Sequence, residues 1–372
     1  MQSTQQVTRE GSRHGVKGGR GSGPAEHTEP TAPPNARSHQ TIHRFVVKLA
    51  DAGIEGAVDG GKLLEWIDNA ARATATQWSG RDSVTACVGN VHLDRPVGVG
   101  ELVELHASLV YTGRSSMHIL VTVHSSDLTG VKVAQTAQCA IVFVAVDDTG
   151  KPVEVPSWTP ITMLELQRQR QARVRIPMRK RIEGAMAAES YTAAGTAPRT
   201  TLRFIANRTA VDSGGKVHGG RVMRWIDEAA SACGADWTGT QVITSYIAGI
   251  PFYRPIATGH VVEVTARVIH TGPRSVHTSI DVVTTEKDSD QAHLAARGLA
   301  IVVSLDERGN ARPVPKWEPD SAEDHRLDHH ARHLLELRQF IEPFTTAATL
   351  PDEHERSNST TWSSTADVRI QS

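Results

Sequence analysis

Three cysteines in 372 residues, Cys87, Cys139 and Cys233, are few, odd in number and without CxxC spacing. That pattern argues against a disulfide framework and a thiolate zinc site, and a reducing, cytoplasmic compartment is the expectation. Net charge is lacking as well, with 40 Lys plus Arg against 41 Asp plus Glu and a formal charge of −1. Such a balance gives no bulk electrostatic support for polyanion binding, so no nucleic-acid partner is expected. No apolar run approaches the roughly 18 residues of a membrane span, and no signal-peptide core stands near residue 1. No phosphate-cradling GxxxxGK[ST] loop is present.

What is present is a chain that contains itself twice. Trp66-Ile67-Asp68 recurs as Trp225-Ile226-Asp227, an offset of 159 residues. Gly60-Gly61 and Gly219-Gly220, Arg95-Pro96 and Arg254-Pro255, Thr112-Gly113 and Thr271-Gly272, His118 and His277 all share that offset. So do Pro156-x-Trp158-x-Pro160 and Pro315-x-Trp317-x-Pro319. Ala140-Ile141-Val142 matches Ala300-Ile301-Val302 one residue off, which implies a one-residue loop insertion. A period this long is a duplicated domain rather than a solenoid unit. The expected organisation is a disordered tail over 1–39, domains over 40–160 and 200–319, a basic helical connector over 161–199, a C-terminal helix over 320–350 and a tail over 351–372. The connector's arginines, Arg168 to Arg181, read as a solvated helix in preference to a basic groove for a phosphorylated ligand, because no aromatics interleave them.

Each copy carries the same element signals. After the Gly-Gly pair, Leu63, Ile67, Ala70 and Thr74 fall at helical spacing, as do Val222, Ile226 and Ala229. Strand alternation follows in Val103, Leu105, Ala107, Leu109 and Tyr111, and again in Val262, Val264, Ala266 and Val268. Met117, Ile119, Val121 and Val123 repeat it after the Thr-Gly turn. One buried helix followed by a run of antiparallel strands is an α+β arrangement, not a doubly wound sheet.

The chemistry sits at the start of that helix. Two glycines leave backbone N–H groups open at the positive end of the helix dipole, where a carbonyl oxygen gaining negative charge would be stabilised. Seven residues after the second glycine comes Asp68, or Asp227 in the second copy, between large apolar residues and alanines. Seven residues is nearly two turns, which returns the carboxylate to the face that starts at the glycines. A carboxylate on an apolar helix is costly unless paired or used. Two readings stand: an Asp on the polar edge of a helix begun at a tight loop, or a general base or nucleophile beside an oxyanion-stabilising helix start. The second makes an acyl-transfer site with water as acceptor. His329 and His333 stand at i, i+4 spacing but lack a completing carboxylate or thiolate, so no metal site is expected. The cysteines lack a dedicated base, which disfavours a cysteine nucleophile.

The segments Val217-His218-Gly219-Gly220-x4-Trp225-Ile226-Asp227-Glu228-Ala229 and Val58-Asp59-Gly60-Gly61-x4-Trp66-Ile67-Asp68, with the turns at Thr112-Gly113-Arg114-Ser115-Ser116 and Thr271-Gly272-Pro273-Arg274-Ser275, resemble the tandem hotdog-fold acyl-CoA thioesterases, among them the brain-type cytosolic acyl-CoA hydrolases. The resemblance covers roughly 240 residues. It implies duplicated hotdog domains, each a long helix wrapped by a curved antiparallel sheet, with active sites shared across their interface. It implies acyl-CoA as substrate, no cofactor beyond the coenzyme A of that substrate, and a homo-oligomer of double-hotdog chains. Asp68 and Asp227 would be catalytic, and Arg114, Ser115, Ser116, Arg274 and Ser275 would lie near the CoA moiety, an arginine pairing with phosphate.

Two departures qualify it. Where the family's motif has Asn three residues before the glycine pair, this chain has Ala57 and Lys216, and the histidine position is kept as His218 but replaced by Asp59. With shared sites, Asp68 would face His218-Gly219-Gly220 and Asp227 would face Asp59-Gly60-Gly61; the first combination retains more of the expected chemistry. The alternative is a catalytically impaired acyl-CoA-binding or regulatory protein. A hotdog dehydratase is disfavoured, since neither helix starts with an Asp-x-x-x-x-His pattern.

Overall fold

The computed structural model describes residues 37–346, apart from 54–55, 193, 208–210, 212–214, 288, 290, 307–309, 340 and 342. Of the two expected tails, only 37–39 fall among the described residues. The first copy runs β1 (Gln40–Val46), α1 (Gly60–Ser79), β2 (Asp82–Val88), β3 (Val91–Leu93), β4 (Leu102–Thr112), β5 (Ser116–Ser126), β6 (Ala134–Val146) and α2 (Met163–Ala187). The second runs β7 (Arg199–Ile205), α3 (Gly219–Thr238), β8 (Ile243–Ala248), β9 (Ile250–Pro251), β10 (Val261–Thr271), β11 (Val276–Thr285), β12 (Ala292–Val303) and α4 (Ala322–Gln339).

All the strand pairs are antiparallel and join one sheet in the order β1-β4-β5-β6-β3-β8-β12-β11-β10-β7, with β2 on β6 and β9. The two halves meet by a pseudo-twofold exchange. Val91 pairs with Ile247, the 159-residue counterpart of Val88, and Val88 pairs with Ile250, the counterpart of Val91. α1 and α3 lie against each other and against the same face of the sheet. Leu63, Ile67, Ala70 and Thr74 are all buried there, as are Val222, Ile226 and Ala229, so the helical spacing names the packed stripe. Each helix ends at a left-handed glycine, Gly80 (φ 66°) or Gly239 (φ 68°), whose amide closes on Thr76 or Ala235.

Three details differ from the sequence reading. First, a strand precedes each helix: β1 and β7 form the two ends of the sheet and alternate in burial. Phe45 of β1 meets Trp66 edge-on at 4.8 Å, and Phe204 meets Trp225 at the same distance, so the repeated tryptophans hold these strands to their helices. Second, Tyr111 leaves the helix-facing row. A bulge between Leu109 and Tyr111 turns it to the outer face, where it meets His118 edge-on at 5.1 Å. Third, no insertion separates β6 from β12. His118 pairs with Val142 and His277 with Ile301, and the bulges at Val123/His124 and Val282/Val283 also correspond, all at 159; the Ala-Ile-Val match at 160 is coincidental.

The repeated Pro-x-Trp-x-Pro segments have a shared structural use. Trp158 N–H donates to Thr112 Oγ1 at 3.0 Å and Trp317 N–H to Thr271 Oγ1 at 2.9 Å. Trp78 and Trp237 indoles donate to the Pro156 and Pro315 carbonyls, both at 2.9 Å. These bonds pin the chain leaving each sheet over the end of its helix. α2 then crosses the outer face: Ala172, before Pro177, packs with Val110 and Leu120 of the first half, while Ile182 and Met186, after it, pack with Ile269 and Leu299 of the second.

Candidate active site

The helix starts cross. A Cβ placed on Gly61 would come within 3.0 Å of the Arg224 Cα, and one on Gly220 within 3.0 Å of the Glu65 Cα, so glycine lets each helix N-terminus reach the other's second turn. There the carboxylates wait. Gly61 N–H donates to Asp227 Oδ2 at 2.8 Å, and Gly60 approaches Asp227 Oδ1 so closely that a Cβ there would stand 2.9 Å away. In the mirrored site Gly220 faces Asp68, with 3.2 Å from an added Cβ to Asp68 Oδ2. Both sites are therefore built across the two copies. The N-cap residues His218 and Asp59 flank them: His218 acts electrostatically on Asp68, and Asp59 on Asp227.

Asp68 is wholly buried and Asp227 nearly so. Burial raises the pKa of Asp68, opposed by the Gly220 amide, the Thr85 hydroxyl, Arg72 and His218. Asp227 is pushed up to about 6 by burial, opposed by Thr244 and the Gly61 amide and reinforced by the negative charge of Asp59. Thr85 Oγ1 donates to Asp68 Oδ1 at 2.8 Å, which fixes one carboxylate oxygen. Asp68 Oδ2 and Asp227 Oδ1 accept no hydrogen bond among the described residues. A buried carboxylate with one anchored oxygen and one open oxygen can take a proton from a water or other small donor beside it.

Thr85 and Thr244 escaped the sequence reading, although a signal existed: both stand 17 residues after their aspartate and match at the 159 offset. Arg72, one turn beyond Asp68, has Ser231 as its counterpart, so only the first aspartate has this cation on its own helix. The turns lie beside the segments that cross the C-terminal ends of α1 and α3, with Val155 N–H donating to the Arg114 carbonyl and Val314 N–H to the Pro273 carbonyl. Arg114 and Arg274 are exposed, and Arg114 Nε pairs with Glu154 at 2.8 Å. Ser115 and Ser116 belong to the first hairpin turn, where Gly113 N–H donates to the Ser116 carbonyl; in the second, Ser275 Oγ lies 3.1 Å from His277 Nε2. All three cysteines are buried free thiols, and burial pushes each of them up. Among the described residues no group of three or more His, Cys, Asp or Glu is arranged to hold a metal ion, and no helix is long and apolar enough to cross a membrane.

Comparison with known proteins bears on the family of both copies. The model of the Thioesterase superfamily matches twice, over residues 55–132 and 214–289. The chain is 25% identical over 301 residues to the mouse cytosolic acyl coenzyme A thioester hydrolase, covering 75% of this chain and 78% of the relative. It is 31% identical over 137 residues to protein VdlD of Helicobacter pylori, covering 37% of this chain and 78% of that protein. A Lactobacillus plantarum structure assigned as an oleoyl thioesterase shares the fold, with a TM-score of 0.50 at 11% identity over 76% of this chain and 99% of that one. Two helix starts that exchange glycines and carboxylates across a duplicated hotdog sheet, and two matches at those same segments, place the chain in the thioesterase superfamily.

Proposed function

We propose that the chain is an acyl-CoA thioester hydrolase whose working site is Asp68 with His218-Gly219-Gly220 and Thr85. The supporting observation is Asp68 itself: a fully buried carboxylate, one oxygen held by Thr85 and the other open, set against the start of α3. Water beside Oδ2 gives its proton to Asp68 while its oxygen attacks the thioester carbon. The carbonyl oxygen gains charge at the positive end of α3. In the opposite site Gly61 N–H is donated to Asp227, which leaves the Gly60 amide there; beside Asp68, whose Oδ2 accepts no such bond, the Gly219 and Gly220 amides stand at the helix start for the carbonyl oxygen. Collapse breaks the C–S bond, the thiolate recovers the proton from Asp68, and acid and CoA-SH leave.

His218 flanks this site as a neighbour of Asp68, and its counterpart Asp59 makes the Asp227 site a pair of carboxylates that resists full ionisation. A second reading rests on that pair and on Ala57 and Lys216: the Asp227 site, or both, binds acyl-CoA without turnover. Arg114, Ser115, Ser116, Arg274 and Ser275 are proposed contacts for the CoA moiety, and assembly of double-hotdog chains into a homo-oligomer is proposed with them. The deciding experiment incubates pure protein with short, medium and long acyl-CoAs and follows thiol release. Release confirms the hydrolase; binding without release from any chain length leaves the second reading.

A further inference from the structure

The outer face of the sheet, turned away from α1 and α3, carries a cavity of about 260 Å³ over the first half. Ala140 and Val142 of β6 form its floor, Ala172 and Ile176 of α2 its roof, and Phe344 closes one end. The second half is filled at the equivalent level. There Met186 packs with Leu299 and Leu334 and closes the cavity's far edge at Gly249, the counterpart of Asn90, where an added Cβ would meet Met186 Sδ at 3.2 Å. The duplication thus leaves one such space per chain among the described residues.

Asn90, His92, Asp94 and Gln135 stand at its edge, and several further polar groups there are engaged. Phe344 N–H donates to Gln138 Oε1 at 2.8 Å, Arg179 pairs with Glu183 at 3.2 Å, and the Arg175 guanidinium lies 3.4 Å over the Phe344 ring. Burial and Arg179 push His118, on the same wall, down to about 3, so His118 adds no imidazolium charge to the wall at neutral pH. The floor and roof are apolar, and such surface left unfilled forfeits packing. At about 30 Å³ per water-sized group, there is room for roughly nine methylene-sized groups.

We propose that this cavity takes a linear acyl chain, one per protein chain, with its polar end toward Arg175 and Arg179. Two sources supply that chemistry: the chain of a second thioester bound away from Asp68, or a fatty acid bound on its own. Cys139 borders the cavity and stands near enough to Asp68 to feel its charge, so the space backs onto the proposed catalytic site with β6 between. The acyl class rests on the thioesterase reading; the apolar cavity does not.

Calorimetry with decanoate on the full chain, on Ala140→Phe and on Ile176→Trp tests it, with circular dichroism to confirm folding. The expected result is one site per chain in the parent and at least a tenfold weaker affinity in each folded variant. Ile176 is half-buried on α2, so its replacement serves if Ala140→Phe fails to fold. Thiol release from butyryl-CoA and decanoyl-CoA separates the sources. Selective loss of the decanoyl rate in the variants identifies a second thioester whose chain acts from this cavity; an unchanged ratio alongside lost decanoate binding identifies a fatty-acid site. Unchanged decanoate affinity in the folded variants overturns the proposal, as does no decanoate binding with an unchanged rate ratio. Absence of thiol release from every ester defeats the thioesterase reading alone, and decanoate binding still decides the cavity.

Discussion

Glu65 and Arg224 occupy the same position in the two copies, 159 residues apart, and they meet: Arg224 Nη1 stands 3.3 Å from Glu65 Oε2. A position that contacts its own counterpart across a pseudo-twofold axis would carry like charges if two identical copies paired. Here the copies have opposite signs, and Lys62 and Arg221 add cations around the same glutamate at 3.7 and 3.4 Å. The interface is thereby specific for one first copy with one second copy. Arg224→Glu should lower the melting temperature by several degrees, a loss of about 1–3 kcal/mol for a half-buried pair. Arg224→Gln should cost less, and a double-mutant cycle with Glu65→Gln should return a favourable coupling; zero coupling would show that the pair is incidental.

Stability should fall with rising pH because of Asp227. Its folded pKa of about 6 lies above the unfolded value of 3.8, so between these limits the folded state holds the extra proton. The unfolding free energy then decreases as pH rises: the contribution is whole below about 4 and lost by the time pH passes 6. The full swing is on the order of 3 kcal/mol. Denaturant titrations at pH 4.5 and 6.5 should show a steeper fall in the parent than in Asp227→Asn, which is neutral at that position and keeps only the smaller contribution of Asp68. Equal slopes in the two proteins would place the buried proton elsewhere.

Glycine at 220 is required by closeness rather than by an unusual backbone angle. An added Cβ would stand 2.9 Å from the Asp68 Cβ and 3.0 Å from the Glu65 Cα, and neither can swing aside as the end of a flexible chain would. Gly220→Ala should push the helices apart at a cost of about 1–3 kcal/mol and should weaken any activity that depends on Asp68. Gly239→Ala is a useful comparison, since its φ of 68° strains alanine far from the site. The first should lose activity beyond its effect on stability, and the second should not.

Much of this was readable in one dimension because duplication prints every structural constraint twice. Gly60-Gly61 and Asp68 could be placed on one helical face by spacing alone, and the α+β order followed from alternating strands. The bulge at Tyr111 was not readable, because alternation continues across it and only the cross-strand partner reveals the shift. β1 and β7 were hidden for another reason: end strands with one partner alternate polar and apolar weakly, and their hold on Trp66 and Trp225 is a tertiary contact. Thr85 reaches Asp68 from a neighbouring strand, a meeting no local pattern encodes. The filled and unfilled outer faces depend on where α2 crosses, which period and propensity leave open.

The two aspartates should not be equivalent in catalysis. Asp68 has Thr85 at 2.8 Å, with His218 and Arg72 favouring its ionised form, whereas Asp227 has Asp59 opposing ionisation. A general base must be ionised to accept the water proton, so the first site holds the more competent carboxylate at neutral pH. Asp68→Asn should reduce kcat by about 10²–10⁴-fold with little change in KM, as expected for a proton-transfer group. Asp227→Asn should leave most of the neutral-pH rate, and Thr85→Val should fall between, losing the bond that orients Oδ1. The rate of the parent should rise with pH through the raised pKa of Asp68, and Asp227→Asn should keep that rise. If Asp227→Asn instead removes the rate and Asp68→Asn spares it, the working site is the one that pairs α3's aspartate with Gly60-Gly61.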